Sequence, residues 1–409
     1  MIRTIKTIVI LLAAMLLAWA LPWCYNFIFS SPWESPLTLY SCVNHDFVTF
    51  SFDGDDDVAG YDTHGNTYDE KQFDSIMPTV FCRRLAESGR LPAQIDGKEF
   101  VMHDVERSSF VFRISPSDLH RPETGLYLLL ESAPGRNGFS IPDDVFRITD
   151  RGIEFVRMND NRIDIGKSVA FTDELSGKGF VFPASAVAGN SSTRKPYDNG
   201  YLLIDAVGAP FVMKQIHGKP FVRRIAAPAS VKFTEAFVTE YPDRRLLGFL
   251  CDDRGDVYAI EKDDRSLHRL PIDSFDDSEE RMIIVGDMFY WTIIVERKGY
   301  EKLTAIDPDD YSTKAVHEIV FPEKRWESNR GWLFPFRLVF TASSDRYIKP
   351  RIRDFSARAL CLNLILAAAY LFCRRRTEPD KPKLAIRTFG VLLLGIYLLI
   401  PLLFIGRRE

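Results

Sequence analysis

Three apolar stretches constrain this chain more than any other feature. The first, residues 7–29, contains no charged residue; the second covers residues 359–373 and the third residues 388–406. A helix needs about 20 residues, at about 1.5 Å each, to cross the hydrocarbon of a bilayer. The second stretch reaches that length when its helix begins near Phe355 and Arg358 extends to the interface. The sequence therefore predicts three transmembrane helices: 7–29, 355–373 and 388–406.

Charged residues beside these stretches indicate the orientation of the chain. Arg3 and Lys6 precede the first stretch, and the short loop 374–387 carries six Lys or Arg residues. Short basic segments stay on the cytoplasmic side of a membrane. The tail 1–6 and the basic loop 374–387 are therefore predicted to be cytoplasmic, which leaves the bulk of the chain outside the cytoplasm.

Acidic and basic residues are unevenly distributed along the chain, in a way that agrees with this orientation. The chain carries 52 Lys and Arg against 56 Asp and Glu, yet residues 7–350 hold 39 basic and 52 acidic residues, a net charge of −13. Such an acidic domain has no general affinity for nucleic acid. The sequence predicts a multi-pass protein of the cytoplasmic (inner) membrane, with a large extracytoplasmic or periplasmic domain and the lipid bilayer as a partner. Six cations would lie outside, against the charge rule: Lys349, Arg351, Arg353, Arg358, Arg407 and Arg408.

The first apolar stretch has a second interpretation. Residues 18–20 (Ala-Trp-Ala) have the small-x-small pattern of a signal-peptidase site, so residues 7–29 are either an anchor or a cleaved signal peptide. The apolar stretch continues beyond that site, which favours an uncleaved anchor. Either interpretation leaves the large domain on the same side of the membrane.

A spacing of 46 residues recurs in the second half of the large domain. Short apolar strands are predicted at 211–213, 257–259 and 303–305, each after a glycine-containing turn and an earlier apolar strand. A further strand keeps the offset at Phe221 and Leu267. This length matches a blade of a β-propeller, and one blade cannot bury both faces of its sheet. Neighbouring units are therefore expected to stack.

The predicted fold class is a mainly β ectodomain of propeller-like repeats with three transmembrane helices. The alternative is that three hairpins recur by chance in an α+β domain or a β-sandwich. Residues 30–149 are assigned to the N-terminal part of the ectodomain, which contains one helix. Residues 150–350 are assigned to the strand-repeat part.

One ectodomain helix has clear signals. Thr67 and Glu70 fit a capping box, apolar residues from Phe73 onward follow a helical period, and Gly89 fits the end. Pro78 predicts a kink or two abutting short helices.

The other predicted elements are short. A tight turn over residues 62–66 closes a hairpin, residues 168–177 form a short helix, and residues 189–200 form a polar loop. Four further strands are predicted from short apolar or aromatic runs: 100–103, 110–114, 126–131 and 146–149.

The motifs of common enzyme classes are incomplete. Residues 166–168 (Gly-Lys-Ser) end like a P-loop, but Asn161 stands where the first glycine belongs. Ser192 and Lys195 spell S-x-x-K in a polar loop without companion motifs, and no C-x-x-C occurs. We therefore name no catalytic, cofactor-binding or metal-binding residue and expect no cofactor. A non-enzymatic role is favoured over an enzymatic one.

The histidines and cysteines have two interpretations each. His217, His268 and His317 recur near the repeat spacing, so they either converge on one face or are separate residues of turns and outer strands. Cys42 and Cys82 either form a disulfide in an oxidising compartment or remain free buried thiols.

Three acidic runs at 53–57, 273–280 and 307–310 raise the question of calcium binding, because hard cations take clustered carboxylates. An EF-hand loop beginning at Asp53 would need glycine and glutamate where Val58 and His64 stand. Solvated acidic turns are the favoured interpretation of all three runs.

Residues 61–92 (YDTHGNTYDEKQFDSIMPTVFCRRLAESGRLP) carry a distinctive pattern. It combines a D-x-x-G-x-x-Y turn, a short helix, a Met-Pro step and a G-R-L-P exit. Together with the layout of N-terminal anchor, strand-rich ectodomain and C-terminal helical hairpin, it resembles an uncharacterised family of bacterial envelope membrane proteins. The resemblance implies a domain of unknown function, often encoded beside ABC transporter components, and it transfers no catalytic residue.

These features lead to three hypotheses about function. The leading one is a membrane-anchored extracytoplasmic binding or accessory protein, whose partners include subunits of an ABC-type transport complex. The second is an envelope sensor that relays ligand binding through a partner, because the predicted cytoplasmic parts are too small for an output domain. The third is an envelope glycan or peptide hydrolase, since propellers also host hydrolases. The oligomeric state is left open.

Overall fold

The computed structural model describes residues 2–30, 36–51, 59–119, 125–136, 138–340 and 348–405. The chain divides into two compact units, a strand-rich unit (residues 36–319) and a helical unit (residues 1–35 and 320–409). The helices are α1 (Ile2–Phe29), α2 (Glu70–Ile76), α3 (Cys82–Glu87), α4 (Met102–Ser108), α5 (Pro116–Leu119), α6 (Ile165–Gly177), α7 (Arg325–Leu333), α8 (Ala359–Arg374), α9 (Lys381–Leu394) and α10 (Ile396–Phe404). The strands are β1 (Thr38–Tyr40), β2 (Phe47–Phe50), β3 (Gly60–Asp62), β4 (Thr67–Tyr68), β5 (Gln94–Ile95), β6 (Lys98–Glu99), β7 (Phe110–Ile114), β8 (Asp144–Ile148), β9 (Ile153–Arg157), β10 (Ala186–Gly189), β11 (Tyr201–Ile204), β12 (Pro210–Ile216), β13 (Lys219–Arg224), β14 (Phe233–Val238), β15 (Leu246–Asp252), β16 (Val257–Glu261), β17 (Leu267–Arg269), β18 (Arg281–Gly286), β19 (Trp291–Arg297), β20 (Tyr300–Ile306), β21 (Thr313–Val320), β22 (Arg337–Val339) and β23 (Arg351–Arg353).

Four meander sheets make up most of the strand-rich unit. Three have the orders β1-β2-β3-β4, β10-β11-β12-β13 and β14-β15-β16-β17, and the fourth has β21-β20-β19-β18 with β7 added beside β18. Each strand in the first three sheets pairs antiparallel with the next along the chain. The strands expected 46 residues apart lie in β12, β16 and β20, each the third strand of its unit. The mainly β, propeller-like prediction is therefore confirmed at this level.

Neighbouring sheets stack through shared apolar cores. One core joins β14–β17 to the fourth sheet, where Phe249 and Ala259 share a cluster with Ile284 and Ile293. Similar cores join α6 and β8–β9 to β11–β13, β11–β12 to β14–β16, and the fourth sheet to β1–β2 and α2. Because both faces of these sheets are covered, β11 and β15 are buried at every position. That burial explains their continuous apolar sequence.

An aspartate-glycine turn joins strands in three of the sheets. The carboxylate oxygen Oδ1 of Asp252 accepts hydrogen bonds from the backbone amides of Arg254 and Asp256, at 2.9 and 2.8 Å. Asp62 and Asp205 accept the equivalent amides two and four residues ahead. The glycine three residues after each aspartate has φ between +80° and +87°, a conformation that costs glycine little. An aromatic residue follows three positions later: Tyr68, Phe211 and Tyr258.

The first ectodomain helix is confirmed, but its N-terminus is corrected. α2 begins at Glu70, with Asp69 as the capping residue: its side chain accepts the amide of Gln72, whose side-chain oxygen accepts the amide of Asp69. Thr67 belongs to β4, so the capping box predicted for Thr67 and Glu70 is wrong by two residues. Met77 and Pro78 separate α2 from α3, as the prediction of two abutting short helices requires.

Some of the remaining local predictions are confirmed and others are wrong. β7 confirms the strand at 110–114, β8 most of the strand at 146–149, and α6 the helix at 168–177. The strand predicted at 100–103 is wrong, because α4 begins at Met102 and points Val105 into an apolar core. Residues 126–131 form two isolated bridges instead of a strand.

In the helical unit, α1 is long enough to cross a membrane. Residues Thr4–Phe29 form a 26-residue apolar segment, which meets the criteria for an anchor or a signal peptide near the N-terminus. α8 is apolar but has 16 residues. Helix length within the described residues therefore supports one span and does not by itself support three.

The third apolar stretch is broken, which corrects the prediction of one helix over 388–406. Gly395 has φ +56° and ψ −131°, ends α9 and precedes α10. In α8, fully buried Asn363 donates from Nδ2 to the carbonyl oxygen of Leu392 at 3.1 Å. Asn363 thus bonds to a neighbouring helix, and this hydrogen bond lies at the break.

Four helices of this unit, α1, α8, α9 and α10, share one apolar core. Ile10 and Ala14 of α1 pack in a cluster with Ala367 of α8, Val391 of α9 and Leu402 of α10. A second cluster contains four buried residues: Ala18, Phe334, Leu338 and Tyr397. The N-terminal and C-terminal apolar segments therefore form one packed body.

Candidate functional site

The polar loop between β10 and β11 is held by a buried lysine. The Lys195 side chain is 3% exposed, and its ammonium donates to the backbone oxygen of Asn190 at 2.6 Å and to Glu240 Oε1 at 2.9 Å. It also donates to Asp198. The backbone amide of Asn199 donates to the same Glu240 oxygen at 2.8 Å. These contacts fasten the β10–β11 loop to the β14–β15 loop and fill the hydrogen-bonding capacity of the ammonium.

Four further cations lie near this loop, and two of them lie against the ring of Tyr197. The Lys262 ammonium lies 3.9 Å from the ring centroid and the Arg244 guanidinium 5.0 Å from it. Lys214, in β12, donates to the backbone oxygen of Asp198 at 3.0 Å, and Arg265 follows Lys262 in the β16–β17 turn. We call Lys214, Arg244, Lys262 and Arg265 the Tyr197 cation cluster. Two stacked sheets bring these four residues together.

Burial and mutual repulsion perturb the cations of this cluster. Burial lowers the pKa of Lys214 to about 8, opposed by Asp198 and reinforced by the charges of Lys262 and Arg265. Burial also lowers the pKa of Lys262, and the neighbouring charge of Arg244 lowers it further. Shifts of this kind mark sites where a charge has been taken from water without a matched counter-ion.

The backbone of the cluster is strained at two positions. Arg244 and Arg265 have φ values of +62° and +59°, a conformation that is uncommon for side chains with a Cβ. Within the described ranges, none of the four cluster cations forms a salt bridge with a carboxylate. Strained residues with uncompensated charge are characteristic of binding sites.

A second polar group lies at the β3–β4 turn. One ligand atom each from Asp46, Asp62 and His64 lies within 4.8 Å of the others, the spacing that a metal ion requires. Burial raises the pKa of Asp62, but hydrogen bonds from Asn66, Tyr68 and His64 outweigh it and lower the pKa. Because Asp62 already accepts four hydrogen bonds within its turn, we assign no metal there.

The repeat-spaced histidines have separate partners. His217 lies in the β12–β13 turn, where its backbone amide donates to Glu131 at 2.7 Å. His268 stacks on Tyr311 with ring centroids 4.5 Å apart, and His317 stacks on Phe47 at 5.7 Å. The three rings therefore do not form a common site.

The acidic runs and the S-x-x-K pattern also resolve into structural roles. Within 307–310, Asp307 pairs with Lys314 at 3.1 Å, and within 273–280, Asp273 pairs with Lys302 at 2.6 Å. The run 53–57 lies outside the described residues. Lys195 contacts carboxylates and does not contact Ser192, so the S-x-x-K spacing does not make a nucleophile and base.

Three cysteines of the strand-rich unit are free and buried. Cys42 and Cys82 belong to the same apolar cluster as Phe100 and Val105, and Cys251 lies in the core beside Phe249. Burial raises the pKa of the Cys42 and Cys251 thiols. Buried thiols with raised pKa values are poor nucleophiles.

Three solved structures match part of this chain, all at low sequence identity. The β-propeller domain of Myceliophteria thermophila Cps50 (Swd1) is 11% identical, with a TM-score of 0.26, over 55% of this chain and 61% of that one. The dihydro-heme d1 dehydrogenase NirN is 12% identical, with a TM-score of 0.22, over 57% of each chain. YCF48 bound to D1 peptide is 9% identical, with a TM-score of 0.23, over 57% of this chain and 74% of that one. The matches thus span about three fifths of the first two chains.

Comparison by sequence identifies the family. No curated protein matches the chain. A domain of unknown function, DUF4857, matches residues 37–306, which is most of the strand-rich unit and well over half of the chain. The expected membership of an uncharacterised family is therefore confirmed: the chain belongs to the DUF4857 family.

Proposed function

We propose that this chain is a membrane-anchored extracytoplasmic binding or accessory protein of a bacterial envelope. The observation that carries the proposal is the shared core of the helical unit, where α1 from the start of the chain packs with α8, α9 and α10 from its end. The strand-rich unit lies between these segments in the chain and is tied to the helices at both ends. A permanent double attachment suits a protein that works at a membrane surface.

The proposed topology has three passes, despite the break in the third. Discontinuous helices are tolerated inside membranes where neighbouring helices satisfy the freed backbone groups. Here the side-chain amide of Asn363 donates to the carbonyl oxygen of Leu392. Gly395 ends α9, and its backbone amide donates to the carbonyl oxygen of Val391 at 2.7 Å. The basic loop 374–387 would then lie on the cytoplasmic side.

One of the cations that oppose this topology in the sequence is paired. Arg358, at the start of the second apolar stretch, lies 3.5 Å from Glu323. A paired arginine contributes less net charge to the orientation of a helical hairpin. Arg358 therefore weighs less against the proposal than an isolated cation would.

The partners we propose are membrane proteins, with subunits of a transport complex as the first candidates. The test is photocrosslinking from α8, with the probe at Ile365, which is 66% exposed, and at Ala367, which is 4% exposed, as the matched buried control. We expect Ile365 to yield crosslinks to membrane proteins that co-purify in mild detergent, and Ala367 to yield none. Recovery of an uncrosslinked lone chain from both positions would contradict the proposal.

A further inference from the structure

Positive charge is concentrated around Tyr197 in the strand-rich unit. Five cations lie here: the four of the Tyr197 cation cluster together with Lys195. Four carboxylates act on the lysines or on Tyr197: Asp198, Glu240, Asp243 and Asp263. The local excess of one positive charge lies within a stretch, residues 7–350, whose net charge is −13. A positive patch concentrates anions locally even on an acidic protein.

Two of the four carboxylates are committed to Lys195. Asp198 and Glu240, whose side chains are 3% and 4% exposed, both bind the Lys195 ammonium. Asp198 also accepts a hydrogen bond from Ser132. Lys214 reaches only the backbone oxygen of Asp198, at 3.0 Å. One lysine is therefore fully paired while the adjacent lysine keeps donors for another acceptor.

The chemistry of the donors favours an oxyanion. Ammonium groups offer three donors each, and guanidinium groups match two oxygens of a phosphate or sulfate at once. Tyr197 donates its hydroxyl to the backbone oxygen of Tyr241 at 2.9 Å, so its ring face, beside Lys262 and Arg244, remains toward the cations. An anion that contacted both lysines would relieve their mutual repulsion.

We infer that the Tyr197 cation cluster is a binding site for a polyvalent oxyanion, of the class of phosphate esters and pyrophosphates, with Lys214, Lys262 and Arg244 as its ligands. This inference rests on the proposed binding function and names its ligand class. The same chemistry occurs in soluble phosphate esters and in the headgroups of anionic lipids, and the experiment separates these two sources.

The test is calorimetric titration of the full chain, in nanodiscs of neutral phosphatidylcholine at pH 7, with inorganic pyrophosphate. We expect the double variant Lys214→Met/Lys262→Gln to bind pyrophosphate at least tenfold more weakly than the unaltered chain. The control double variant Lys178→Gln/Arg151→Gln removes two exposed cations elsewhere on the strand-rich unit and should keep its affinity within twofold. Equal affinity of the unaltered chain and the cluster variant, or no binding by either, would overturn the inference.

A second arm identifies the source of the anion. In nanodiscs that contain phosphatidylglycerol, a cluster that takes lipid headgroups is occupied in advance and loses pyrophosphate binding, whereas a cluster that takes soluble phosphate esters keeps it. Folding is monitored by the thermal midpoint, which the cluster variant is expected to keep or raise because it removes repelling charges. If the chain shows the proposed topology and crosslinks but binds no pyrophosphate, the proposed function stands and this inference is wrong.

Discussion

The side-chain amide of Asn363 donates to the carbonyl oxygen of Leu392 at 3.1 Å, three residues before the third apolar segment breaks at Gly395. This bond satisfies a carbonyl group where the helix ends. A Cβ built on Gly395 would stand 2.0 Å from Asn363 Oδ1, so this position beside the asparagine requires glycine. The helical hairpin is therefore held in its broken form by a specific contact.

Gly395→Ala should destabilise the helical unit strongly. The new Cβ would collide with Asn363, and φ of +56° is strained for alanine, at an expected cost on the order of 2–4 kcal/mol. Asn363→Ala in the same chain should recover part of this loss, because it removes the collision and leaves the strain. Thermal unfolding in mild detergent measures both. Gly166→Ala in α6, where a Cβ meets its nearest atom at 3.7 Å, is the control and should be neutral or stabilising. A Gly395→Ala chain as stable as the unaltered one would contradict this account of the break.

Lys195→Met should unfold the β10–β11 loop. It leaves Asp198 and Glu240 buried without their shared counter-ion, and breaking a buried ion pair typically costs about 3–5 kcal/mol. Urea unfolding followed by tryptophan fluorescence measures the loss. Lys178→Met is the control, because Lys178 is 48% exposed and pairs with Glu174 on one helix surface; its effect should stay below about 1 kcal/mol. Similar losses in the two variants would show that Lys195 is not a structural anchor.

Asp252→Ala tests the aspartate-glycine turn. The substitution leaves the amides of Arg254 and Asp256 without their acceptor; hydrogen bonds to charged groups contribute about 1.5–3 kcal/mol. Asp252→Asn keeps an acceptor oxygen and should cost less than half as much. Asp150→Ala, at a residue that is 79% exposed, is the control. Hydrogen exchange at the Asp256 amide gives a local measurement, and unchanged protection in Asp252→Ala would contradict the proposed role of the carboxylate.

The lowered pKa of Lys214 predicts an unusual pH dependence of folding stability. Burial, with a smaller contribution from Lys262, lowers its pKa to about 8, whereas an unfolded lysine titrates near about 10.4. Because the folded pKa lies below the unfolded one, the charged lysine destabilises the fold fully below pH 8. That penalty disappears as the pH rises from about 8 to about 10.4. Lys214→Met removes the penalty and loses one hydrogen bond, so we expect a net gain of about 2 kcal/mol at pH 7 that vanishes near pH 10. A thermal midpoint that falls at pH 7 would contradict this.

The stacked strands could be predicted from sequence because both faces of each sheet are covered. β12, β16 and β20 therefore each contain a short run of buried residues, at 211–213, 257–259 and 303–305, and the 46-residue offset of these runs is visible. Phe100 misled the prediction because a short apolar run precedes a helix as readily as it forms a strand. Gly395 was not recognised as a break because glycine is also frequent within membrane helices; only the structure shows that a Cβ there would stand 2.0 Å from Asn363 Oδ1.

The candidate site could not be predicted in this way. Lys214, Arg244 and Lys262 lie on different strands or loops. Their spacing in the sequence does not indicate that they are close, because only the stacking of the sheets brings them together. The aspartate-glycine turn did leave a signal: the D-x-x-G spacing at Asp62 recurs at Asp205 and Asp252, each followed by an aromatic residue. A search for that pattern would have found the turns that close three sheets.

The central claim, a chain anchored through three passes with its strand-rich unit outside the cytoplasm, is tested most directly by two epitope tags. One is inserted after Ser192, in the exposed part of the β10–β11 loop, and the other at Asp380, in the basic loop. Antibody labelling is compared between intact spheroplasts and permeabilised cells. The account predicts that the tag after Ser192 is labelled in both, and the tag at Asp380 only after permeabilisation. Labelling of both tags in intact spheroplasts, or of neither tag before permeabilisation, would contradict it.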